Sequence, residues 1–409
     1  MNNFFYVTDL ETVLGYATQF SPLDRELVSL PEAVGRILGE ELISQENLPD
    51  FARSTMDGFA VRAASTFGAS ESNPAYLTVT GSVRMGETPG FSVAPGEAAR
   101  ISTGGALPAG ADSVVIIEHT EAIDETTIEA HKTVAPGQHV VQIGEDFTAG
   151  SLVLDRGRVL RPQDIGIMAA FGREFLSVHR RARVGIISSG DEVVPIQESP
   201  RPGQIRDINT HTLSAMVSEA GGIPVCHGIV KDDADMLFAV CSNALSTSDM
   251  LLISGGSSVG TRDFTVEVLN RLPDTRILVH GIPISPGKPT IFARSGNLPI
   301  WGLPGHVVSA MIVFRTVVRP FLDQLNGIST SRQTVWPVPA RMTRNISSAQ
   351  GRTDFIRVRM VKKEDGFWAE PIPGKSGLLN TMIQADGLVA IDINTEGLDK
   401  GALVMVIPL

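Results

Sequence analysis

The sequence lacks the features by which nucleic-acid-binding, membrane-spanning and P-loop proteins are usually recognised. Its 409 residues carry 34 Lys and Arg against 45 Asp and Glu, a net charge of −11, which argues against the basic surface that nucleic acid requires. No stretch reaches the ~18 uninterrupted apolar residues of a membrane-spanning helix. The first residues show no basic segment followed by a long apolar run, so no secretory signal is indicated and a cytoplasmic location is expected. The Walker A pattern GxxxxGK[ST] is absent, which argues against a P-loop NTPase.

Cysteine and the large aromatic residues are also scarce. The two cysteines, Cys226 and Cys241, have neither a CxxC spacing nor a nearby histidine cluster, which favours two buried thiols over a zinc site or a redox pair. Three Trp and three Tyr accompany 40 Gly and 25 Pro, a balance typical of many turns around a Val, Ile and Leu core. The length favours several domains, because single cores rarely grow beyond ~250–300 residues.

Hydrophobic periodicity divides the chain into helical, β-rich and alternating segments. Residues 8–45 and 147–180 are predicted to be largely helical and to pack together, with a β-rich segment at 51–146 inserted between them. Residues 181–327 alternate strands and helices, a βαβ pattern that predicts a largely parallel, doubly wound sheet. Short alternating strands return from Thr334 and favour a compact barrel or sandwich.

Polar side chains stand where helices of the alternating segment are expected to begin. Asn209 is expected to cap one helix, and either Asp232 or Asp233 is expected to cap the next. Asp263 is compatible with two roles, a cap for the helix that follows it or a metal ligand. Pro31, farther upstream, is expected to begin a second N-terminal helix.

Four glycine-rich loops follow β-like runs in the second half of the chain. They are SSGDEV at 188–193, SGGSSVG at 254–260, SPGKPT at 285–290 and GLPGHVVSA at 302–310. Ligands of open α/β sheets bind beyond the carboxyl ends of the strands, so these loops predict a composite anion and metal site. Glu192 and Asp263 can reach a common Mg²⁺, which usually takes one or two carboxylates plus substrate phosphate oxygens. Lys288 suits an oxyanion and equally suits a surface turn.

Three motifs in the β-rich segment carry polar groups that could belong to a site or only to turns. Asp57 and Gly58 form a common turn pair, and the STGG sequence at 102–105 can form a nest of N–H groups. Glu145 and Asp146 stand at the junction between predicted domains, where pockets are frequent.

Taken in order, these motifs resemble those of the MoeA family of molybdopterin molybdenumtransferases, which includes the E domains of the plant enzyme and of animal gephyrin. The matching segments lie at 54–61, 100–118, 144–150, 188–193, 204–209, 254–263, 286–289, 303–310 and 351–357. Each motif is unspecific alone, whereas the ordered set covers nearly the whole chain and is highly specific.

The resemblance implies a multidomain α/β plus β fold. The implied domains are a discontinuous helical domain (1–50 and 147–180), an inserted β-rich domain (51–146), a MogA-like doubly wound α/β domain (181–327) and a C-terminal β-barrel (328–409). It also implies an elongated homodimer whose active cleft lies between the α/β domain of one subunit and the β-rich insert of the other.

The resemblance further implies a reaction that consumes adenylylated molybdopterin and molybdate with Mg²⁺ and yields molybdenum cofactor and AMP. Carried over by position, the catalytic residues are Asp57, Thr103, Asp146, Glu192 and Asp263, the first three contributed by the partner subunit. The Mg²⁺ ligands are Asp191, Glu192 and Asp263. The residues expected to bind molybdopterin or to mark the molybdate pocket are Ser254, Gly255, Gly256, Ser257, Gly287, Lys288, Pro289, Pro304, Ser309, Arg357 and Ser376.

Two departures from the family pattern lie near the expected oxyanion pocket. Residues 276–285 contain none of the lysines that many members carry before Pro286, and His306 with Val307 replaces an Asn-Pro pair. These changes make tungstate an alternative to molybdate. His306 could contact the oxyanion or could be a helix-start residue that faces solvent.

Two further functions compete with the transferase. One is a non-catalytic paralog that binds molybdopterin or a partner protein, and the other is a generic nucleotide-binding α/β enzyme. The presence of Asp57, Asp146, Glu192 and Asp263 favours the transferase, because a scaffold does not need this set of acids. Expected partners are a second copy of the chain, a MogA-like adenylyltransferase, and molybdoenzymes or their chaperones, with neither nucleic acid nor membrane.

Overall fold

The computed structural model describes residues 7–255, 259–328 and 336–409, and for residues 259–263 it describes the backbone only. The chain divides into two compact units. The larger unit comprises Met1–Glu40 and Arg156–Leu409, and the smaller unit comprises Glu41–Asp155.

The smaller unit is built from strands, as the sequence predicts for its central part. Its six-stranded sheet has the order Ser113–Ile116, Gly58–Val61, Glu97–Ile101, Ala75–Ser82, Thr127–Ala130 and Thr120–Ala122. Shorter pairs join Arg53–Ser54 to Val140–Val141 and Leu42–Ile43 to Leu152–Leu154. Two short 3₁₀ turns lie at Ala63–Thr66 and Ile117–His119. Val61 and Val115 are fully buried in one apolar cluster and Ala60 and Val114 in another, so successive strand residues supply two separate clusters.

The N-terminal part of the larger unit begins with the predicted helix. Asp9 caps the helix Leu10–Gly15, accepting a hydrogen bond from Thr12 N at 2.8 Å, and a 3₁₀ turn at Tyr16–Gln19 follows. The prediction of a second helix that begins at Pro31 is wrong, because only the 3₁₀ turn Leu30–Ala33 forms there. Gly35 adopts φ +75°, a left-handed conformation that ends a helical turn.

The segment before the alternating region is partly helical. The helix Pro162–Ala170 forms as predicted, and Gly172 at φ +64° follows its end. The prediction for the rest of 147–180 is wrong, because Phe175–His179 is a strand that pairs antiparallel with Arg25–Ser29. Ile37 and Leu38 are also buried beside this ladder, which accounts for an apolar pattern that resembled a helix.

The predicted doubly wound sheet is present. Its strands have the order Ile223–Val230, Arg183–Ser189, Met250–Gly255, Leu298–Pro304, Ile291–Ser295 and Thr275–His280, and Ile291–Ser295 runs antiparallel to both neighbours. The associated helices are Asn209–Glu219, Ala234–Thr247, Val259–Arg271 and Val307–Val313, the last continuing through a π turn at Phe314–Val318 into Arg319–Leu325. Ile186 and Ile187, neighbours on one strand, belong to different buried clusters, so both faces of the sheet are covered.

The C-terminal strands close into a barrel, as expected. The five strands are Val338–Met342, Thr353–Lys363, Gly366–Pro371, Gly387–Ile391 and Leu403–Pro408. Closure follows because Thr353–Lys363 pairs with both Gly366–Pro371 and Gly387–Ile391. The short strand Ile284–Ser285 adds to Thr353–Lys363 in parallel, which joins the barrel to the α/β region within the larger unit. The remaining elements are the helix Asn380–Ile383 and the pairs Val193–Val194 with Ile205–Arg206 and Ile346–Ser347 with Gly397–Leu398.

The cysteines differ in environment. Cys241 is buried as predicted, and burial raises the pKa of its thiol to about 12. The prediction of a buried thiol is wrong for Cys226, which is exposed because its strand forms the edge of the sheet. Among the described helices, none combines the length and apolar character needed to cross a bilayer.

Candidate functional site

Three parallel strands end side by side, and a cavity opens at their carboxyl ends. Ser189, Gly255 and Pro304 are the last residues of these strands, and Gly255 is in register with both of the others. The cavity, here called the strand-end cavity, has a volume of about 290 Å³. Its described lining residues are Ser188, Ser189, Glu192, Val193, Ile205, Arg206, Asp207, Ile208, Asn209, Ser254, Gly255, Gly305, His306, Val307 and Gly377. Three of the four glycine-rich loops therefore meet at one place.

Asn209 links the start of a helix to two strand ends. Its Nδ2 donates to Ser254 Oγ at 2.5 Å and to Gly305 O at 2.8 Å, and its Oδ1 is buried with no partner among the described residues. The prediction that Asn209 caps this helix is wrong. Asp207 Oδ1 accepts from Thr210 N at 3.0 Å instead, which leaves the Asn209 amide available to the cavity wall.

Carboxylates gather beside the end of the strand Arg183–Ser189. Asp232 Oδ1 accepts from Ser189 Oγ at 3.2 Å, and Asp232 N approaches Asp191 Oδ1 at 3.4 Å. Burial raises the pKa of the Asp232 carboxyl above its usual range, and the charges of Asp191 and Glu192 raise it further. Negative charge is therefore concentrated at this edge of the cavity.

Glu192 is the member of this acidic group that lines the cavity. Its backbone O accepts from Ile205 N at 2.8 Å, which fixes the residue beside the short parallel pair Val193–Val194 and Ile205–Arg206. A Cβ at Gly190 would lie 2.8 Å from Glu192 Oε2, and Gly190 has φ +150°. Glycine at this position thus lets the chain turn closely around the carboxylate.

The structure distinguishes the roles left open for two acids. Asp233 is the helix cap, because it accepts from Met236 N at 2.8 Å at the start of Ala234–Thr247. Asp263 is not a cap, because it falls inside the helix Val259–Arg271. The Asp263 side chain lies outside the described part of the structure, as do Gly256 and Ser257.

The acids at the strand ends have the chemistry that Mg²⁺ prefers, and those whose side chains the structure describes do not by themselves form a cluster of three ligands. Among the described side chains, the one trio of possible ligands whose atoms lie within 4.8 Å of one another is Glu121, Glu129 and His131 in the smaller unit. Mg²⁺ sites in enzymes commonly use one or two carboxylates and complete the shell with water and substrate phosphates. Glu192 in the lining fits that kind of open site.

His306 and a loop of the barrel form another wall of the cavity. His306 Nδ1 lies 3.2 Å from Ser376 Oγ, and Ser376 O accepts from Val308 N at 3.1 Å. His306 occupies the N-cap position of Val307–Val313, and both His306 and Gly377 line the cavity. His306 is exposed, so it is a helix-start residue that also borders the cavity.

Arg357 anchors the same barrel loop from the other side. Its Nη2 donates to Gly374 O at 2.8 Å, and its Nη1 donates to Thr381 Oγ1 at 2.7 Å. Burial lowers the pKa of the guanidinium from its usual value, and Nε is buried with no partner among the described residues. Arg357 does not line the strand-end cavity, but it fixes the loop that carries Ser376.

The PGKP turn lies behind the helix that borders the cavity. A Cβ at Gly287 would lie 2.5 Å from Val313 Cγ2, so the turn packs against the end of Val307–Val313. Lys288 is exposed and Ser309 is buried, and neither lines the cavity, nor does Pro289. The structure thus places Lys288, Pro289, Ser309 and Arg357 outside the strand-end cavity.

Of the three catalytic residues predicted in the smaller unit, Asp57 and Thr103 lie together. Asp57 Oδ1 accepts from Thr103 N at 2.7 Å, and both residues are exposed. A Cβ at Gly58 would lie 2.0 Å from Val115 O, so the strand that follows Asp57 requires glycine at this point. Asp146 is exposed, and its backbone N donates to Leu48 O at 3.0 Å.

Several lining residues were not singled out from the sequence as ligand contacts. These are Ser188, Ser189, Asp207 and Asn209, of which Ser188 donates to Asp207 Oδ1 at 3.1 Å. The available signal was the QIRDIN segment at 204–209, whose polar residues follow the loop after the first strand. The cap interpretation of Asn209 concealed it, because Asn is common at helix starts for local reasons.

Known proteins are similar to this chain over nearly its whole length. Models of the MoeA N-terminal region (domain I and II), of a "Probable molybdopterin binding domain" and of the MoeA C-terminal region (domain IV) match residues 8–172, 185–324 and 339–409. A molybdopterin molybdenumtransferase of Nostoc sp. (strain PCC 7120) is 32% identical over 397 residues, 95% of this chain and 90% of that protein. A Methanocaldococcus jannaschii protein named for molybdopterin biosynthesis is 35% identical over 386 residues, 92% of this chain and 90% of its own.

A solved structure agrees with these matches. The molybdopterin biosynthesis MoeA protein of Pyrococcus horikoshii OT3 is 30% identical, with a TM-score of 0.84, and the match covers 98% of this chain and 100% of that one. The sequence matches therefore extend to the three-dimensional arrangement. The chain belongs to the MoeA family of molybdopterin molybdenumtransferases.

Proposed function

We propose that this chain, as a molybdenumtransferase of molybdenum cofactor biosynthesis, consumes adenylylated molybdopterin and molybdate in the presence of Mg²⁺ and releases AMP with the finished cofactor. The observation that carries the proposal is the strand-end cavity, where an acidic edge at Glu192 faces hydroxyl, amide and histidine donors. Such a cavity can accept a phosphate ester on one side and a cation on the other. Sites of this kind are typical of the carboxyl edge of a doubly wound sheet.

Asp191, Glu192 and Asp263 are the proposed Mg²⁺ ligands. Support comes from the raised pKa of Asp232, whose causes include its two acidic neighbours, because crowded carboxylates are relieved by a cation. When bound, Mg²⁺ would neutralise phosphate charge that develops as the phosphoanhydride is cleaved.

The chain's own donors would orient the substrate in the cavity. Ser254 and Asn209 are tied together by a hydrogen bond and are 2% and 8% exposed, so their positions are rigid before a ligand arrives. Preorganised groups lose little entropy on binding and can hold the reacting atoms in place. With Gly255, and with Gly256 and Ser257 beyond it, they are the proposed molybdopterin-binding loop.

The proposed molybdate pocket is marked by Lys288, Pro289, Ser309, Arg357 and Ser376, and Gly287 and Pro304 are proposed cofactor-binding residues. Molybdate is a tetrahedral dianion, and lysine, arginine, hydroxyl and N–H groups are its natural donors. Support comes from the shared scaffold: Ser309 lies on the helix whose Val308 contacts Ser376, and Arg357 holds the loop that carries Ser376. A ligand among these groups would therefore be held by elements that are already connected.

We further propose that the enzyme is a homodimer in which Asp57, Thr103 and Asp146 of one copy complete the site of the other. The exposed Asp57–Thr103 pair in the smaller unit supports this, because a fixed carboxylate beside an N–H turn is suited to a polar ligand supplied from outside. The proposed division into domains is 1–50 with 147–180, 51–146, 181–327 and 328–409. A MogA-like adenylyltransferase is the proposed source of the substrate, and molybdoenzymes or their chaperones are the proposed recipients.

The test is AMP release from adenylylated molybdopterin with Mg²⁺ present and molybdate or tungstate added separately. Release that depends on the oxyanion is expected, and omission of Mg²⁺ should abolish it. A preference for tungstate would agree with the absence of lysine from 276–285. No release with either anion from folded protein would contradict the transferase and favour a paralog that binds molybdopterin or a partner without turnover.

A further inference from the structure

We propose that His306 is a specificity-determining residue that binds a tetrahedral oxyanion in the strand-end cavity through Nε2–H, with Ser376 holding the ring in the required orientation. This inference rests on the proposed function, because it names the side chain by which the same cavity recognises an anion. The anion could be the substrate's adenylyl phosphate or the metal oxyanion, which share the same oxygen chemistry.

The His306 ring has one nitrogen bonded to the protein and the other available to a ligand. His306 lines the cavity, and its Nδ1 is 3.2 Å from Ser376 Oγ, so one ring nitrogen is occupied by the protein. Among the described residues, Nε2 has no hydrogen-bond partner. Gly377, which follows Ser376, also lines the cavity. A Cβ at Gly377 would lie 3.9 Å from His306 Cδ2, so this glycine keeps the space beside the ring free of a side chain.

The described lining of the cavity contains few basic side chains. Glu192 and Asp207 are acidic, whereas Arg206 and His306 are the basic residues of the described lining. Arg206 Nε is bonded to Ile196 O and Glu198 O, both at 3.1 Å, so part of that guanidinium already holds a neighbouring loop. An anion that enters the cavity therefore has few basic side chains available as hydrogen-bond donors, and His306 is one of them.

The contact with Ser376 sets which ring nitrogen of His306 carries the proton. When the Ser376 hydroxyl donates to Nδ1, the neutral ring carries its proton on Nε2 and presents a donor. Ser376 is itself fixed, because its backbone O accepts from Val308 N at 3.1 Å and Arg357 holds Gly374 O at 2.8 Å. The barrel loop thus sets the orientation of a side chain that begins the helix Val307–Val313.

The experiment separates the two ring nitrogens by substitution. In His306→Gln the side-chain amide reaches the place of Nε2, whereas in His306→Asn it reaches only the place of Nδ1 and can still contact Ser376. Binding of molybdate and tungstate is measured by equilibrium dialysis with metal analysis, and binding of AMP is measured by calorimetry. His211→Asn is the matched control, because His211 is exposed on Asn209–Glu219 and does not line the cavity.

We expect His306→Asn to weaken one of the two anion classes at least about tenfold, which is the size of a lost hydrogen bond to a charged group. His306→Gln should stay within about threefold of the original protein, Ser376→Ala should give an intermediate loss, and His211→Asn should be unchanged. Weaker binding in the dialysis measurement would identify the anion as the oxometallate, and weaker binding in the AMP measurement would identify it as the phosphate.

The opposite pattern, with His306→Asn unchanged and His306→Gln weakened, would show that the ring only fastens the barrel loop and would overturn the proposal. Unchanged binding in both arms for both variants would also overturn it. These outcomes are separate from the proposed function. If the wild-type protein releases AMP and His306→Asn binds anions normally, this inference alone is refuted. If the protein binds anions through His306 but does not release AMP, only the transferase proposal is refuted.

Discussion

Glu192 lines the strand-end cavity, whereas Asp232 is outside the described lining and bonds to the lining residue Ser189. Asp232 Oδ1 accepts from Ser189 Oγ and Asp232 N approaches Asp191 Oδ1, and the pKa of the Asp232 carboxyl is raised by burial and by neighbouring charge. Glu192 is instead part of the cavity lining. Of these two acids, Glu192 is therefore the one whose charge a ligand or cation in the cavity would meet.

Glu192→Gln is expected to lower the rate of AMP release by at least about a hundredfold, because the amide keeps the shape but removes the charge proposed to hold Mg²⁺. Asp263→Ala is expected to do the same. The measurement is AMP release at saturating Mg²⁺ together with the thermal midpoint, which should not change. The control is Glu198→Gln, an exposed acid on the neighbouring loop, which should retain activity. Normal AMP release by both Glu192→Gln and Asp263→Ala would show that these residues do not bind the Mg²⁺.

A second residue-scale prediction concerns stability and pH. Burial raises the pKa of Asp323 from its ordinary value of 3.8 to about 6, although Arg319, with Nε 3.7 Å from Asp323 Oδ2, opposes the rise. The folded state then binds the proton more tightly than the unfolded state, so stability falls as the pH rises from about 4 to about 6. A rise of this size corresponds to about 3 kcal/mol.

Asp323→Asn is expected to remove that slope from the pH dependence of the urea midpoint. Asp399→Asn, at an exposed position, serves as the control and should leave the slope unchanged. An unaltered slope in Asp323→Asn would show that the buried carboxyl has an ordinary pKa in the folded protein.

At the scale of the element, the helix Val307–Val313 connects the cavity to the PGKP turn and to the barrel loop. His306 stands at its start, Val308 bonds the loop at Ser376, and Val313 packs against Gly287. The helix is almost wholly buried, so it has little freedom to shift. A change at one end is therefore expected to alter the geometry at the other.

Gly287→Ala is the test of that connection. Gly287 has φ +123°, and its new methyl group would lie 2.5 Å from Val313 Cγ2 and 3.0 Å from Ile284 Cδ1, both fully buried residues. We expect a loss of about 2–3 kcal/mol in stability and a higher KM for molybdate. Both are measured, by urea unfolding and by AMP release.

Gly296→Ala is the matched control for Gly287→Ala. Gly296 also has a positive φ of +54°, but a Cβ at this position would have no other atom within 4 Å. It should lose only the ~1 kcal/mol of backbone strain and leave the KM for molybdate unchanged. Equal effects of the two substitutions would mean that packing against the helix contributes nothing.

At the scale of the whole molecule, the proposed homodimer predicts complementation between inactive variants. Asp57→Asn and Glu192→Gln are expected to be inactive as separate homodimers. In a mixed dimer, the intact Glu192 of one copy meets the intact Asp57 of the other, so one of two sites is restored. Co-expression with two affinity tags and AMP release from the doubly purified dimer should give about half of the normal rate. A mixed dimer as inactive as its parents would mean that each site uses one chain only.

Local sequence was sufficient wherever neighbouring residues decide the structure. Asp9 caps its helix, Gly172 ends another, and the apolar runs from Arg183 onwards form strands, because capping, left-handed turns and periodicity act over a few residues. Local pattern failed from Pro31, where apolar residues at helical spacing pack against distant strands instead. Tertiary burial outweighs helix propensity at such places.

The family, the βαβ order and the loops at which a site had to form could be predicted, since each depends on the identity and order of residues along the chain. What those loops do depends on contacts made in the folded protein. Asp233 and Asp207 cap helices, Asn209 and His306 line the cavity, and Lys288 and Arg357 are outside its described lining. These roles could not be predicted because hydrogen bonds such as Asn209 to Gly305 join residues far apart in sequence, and their partners are set only when the strands assemble.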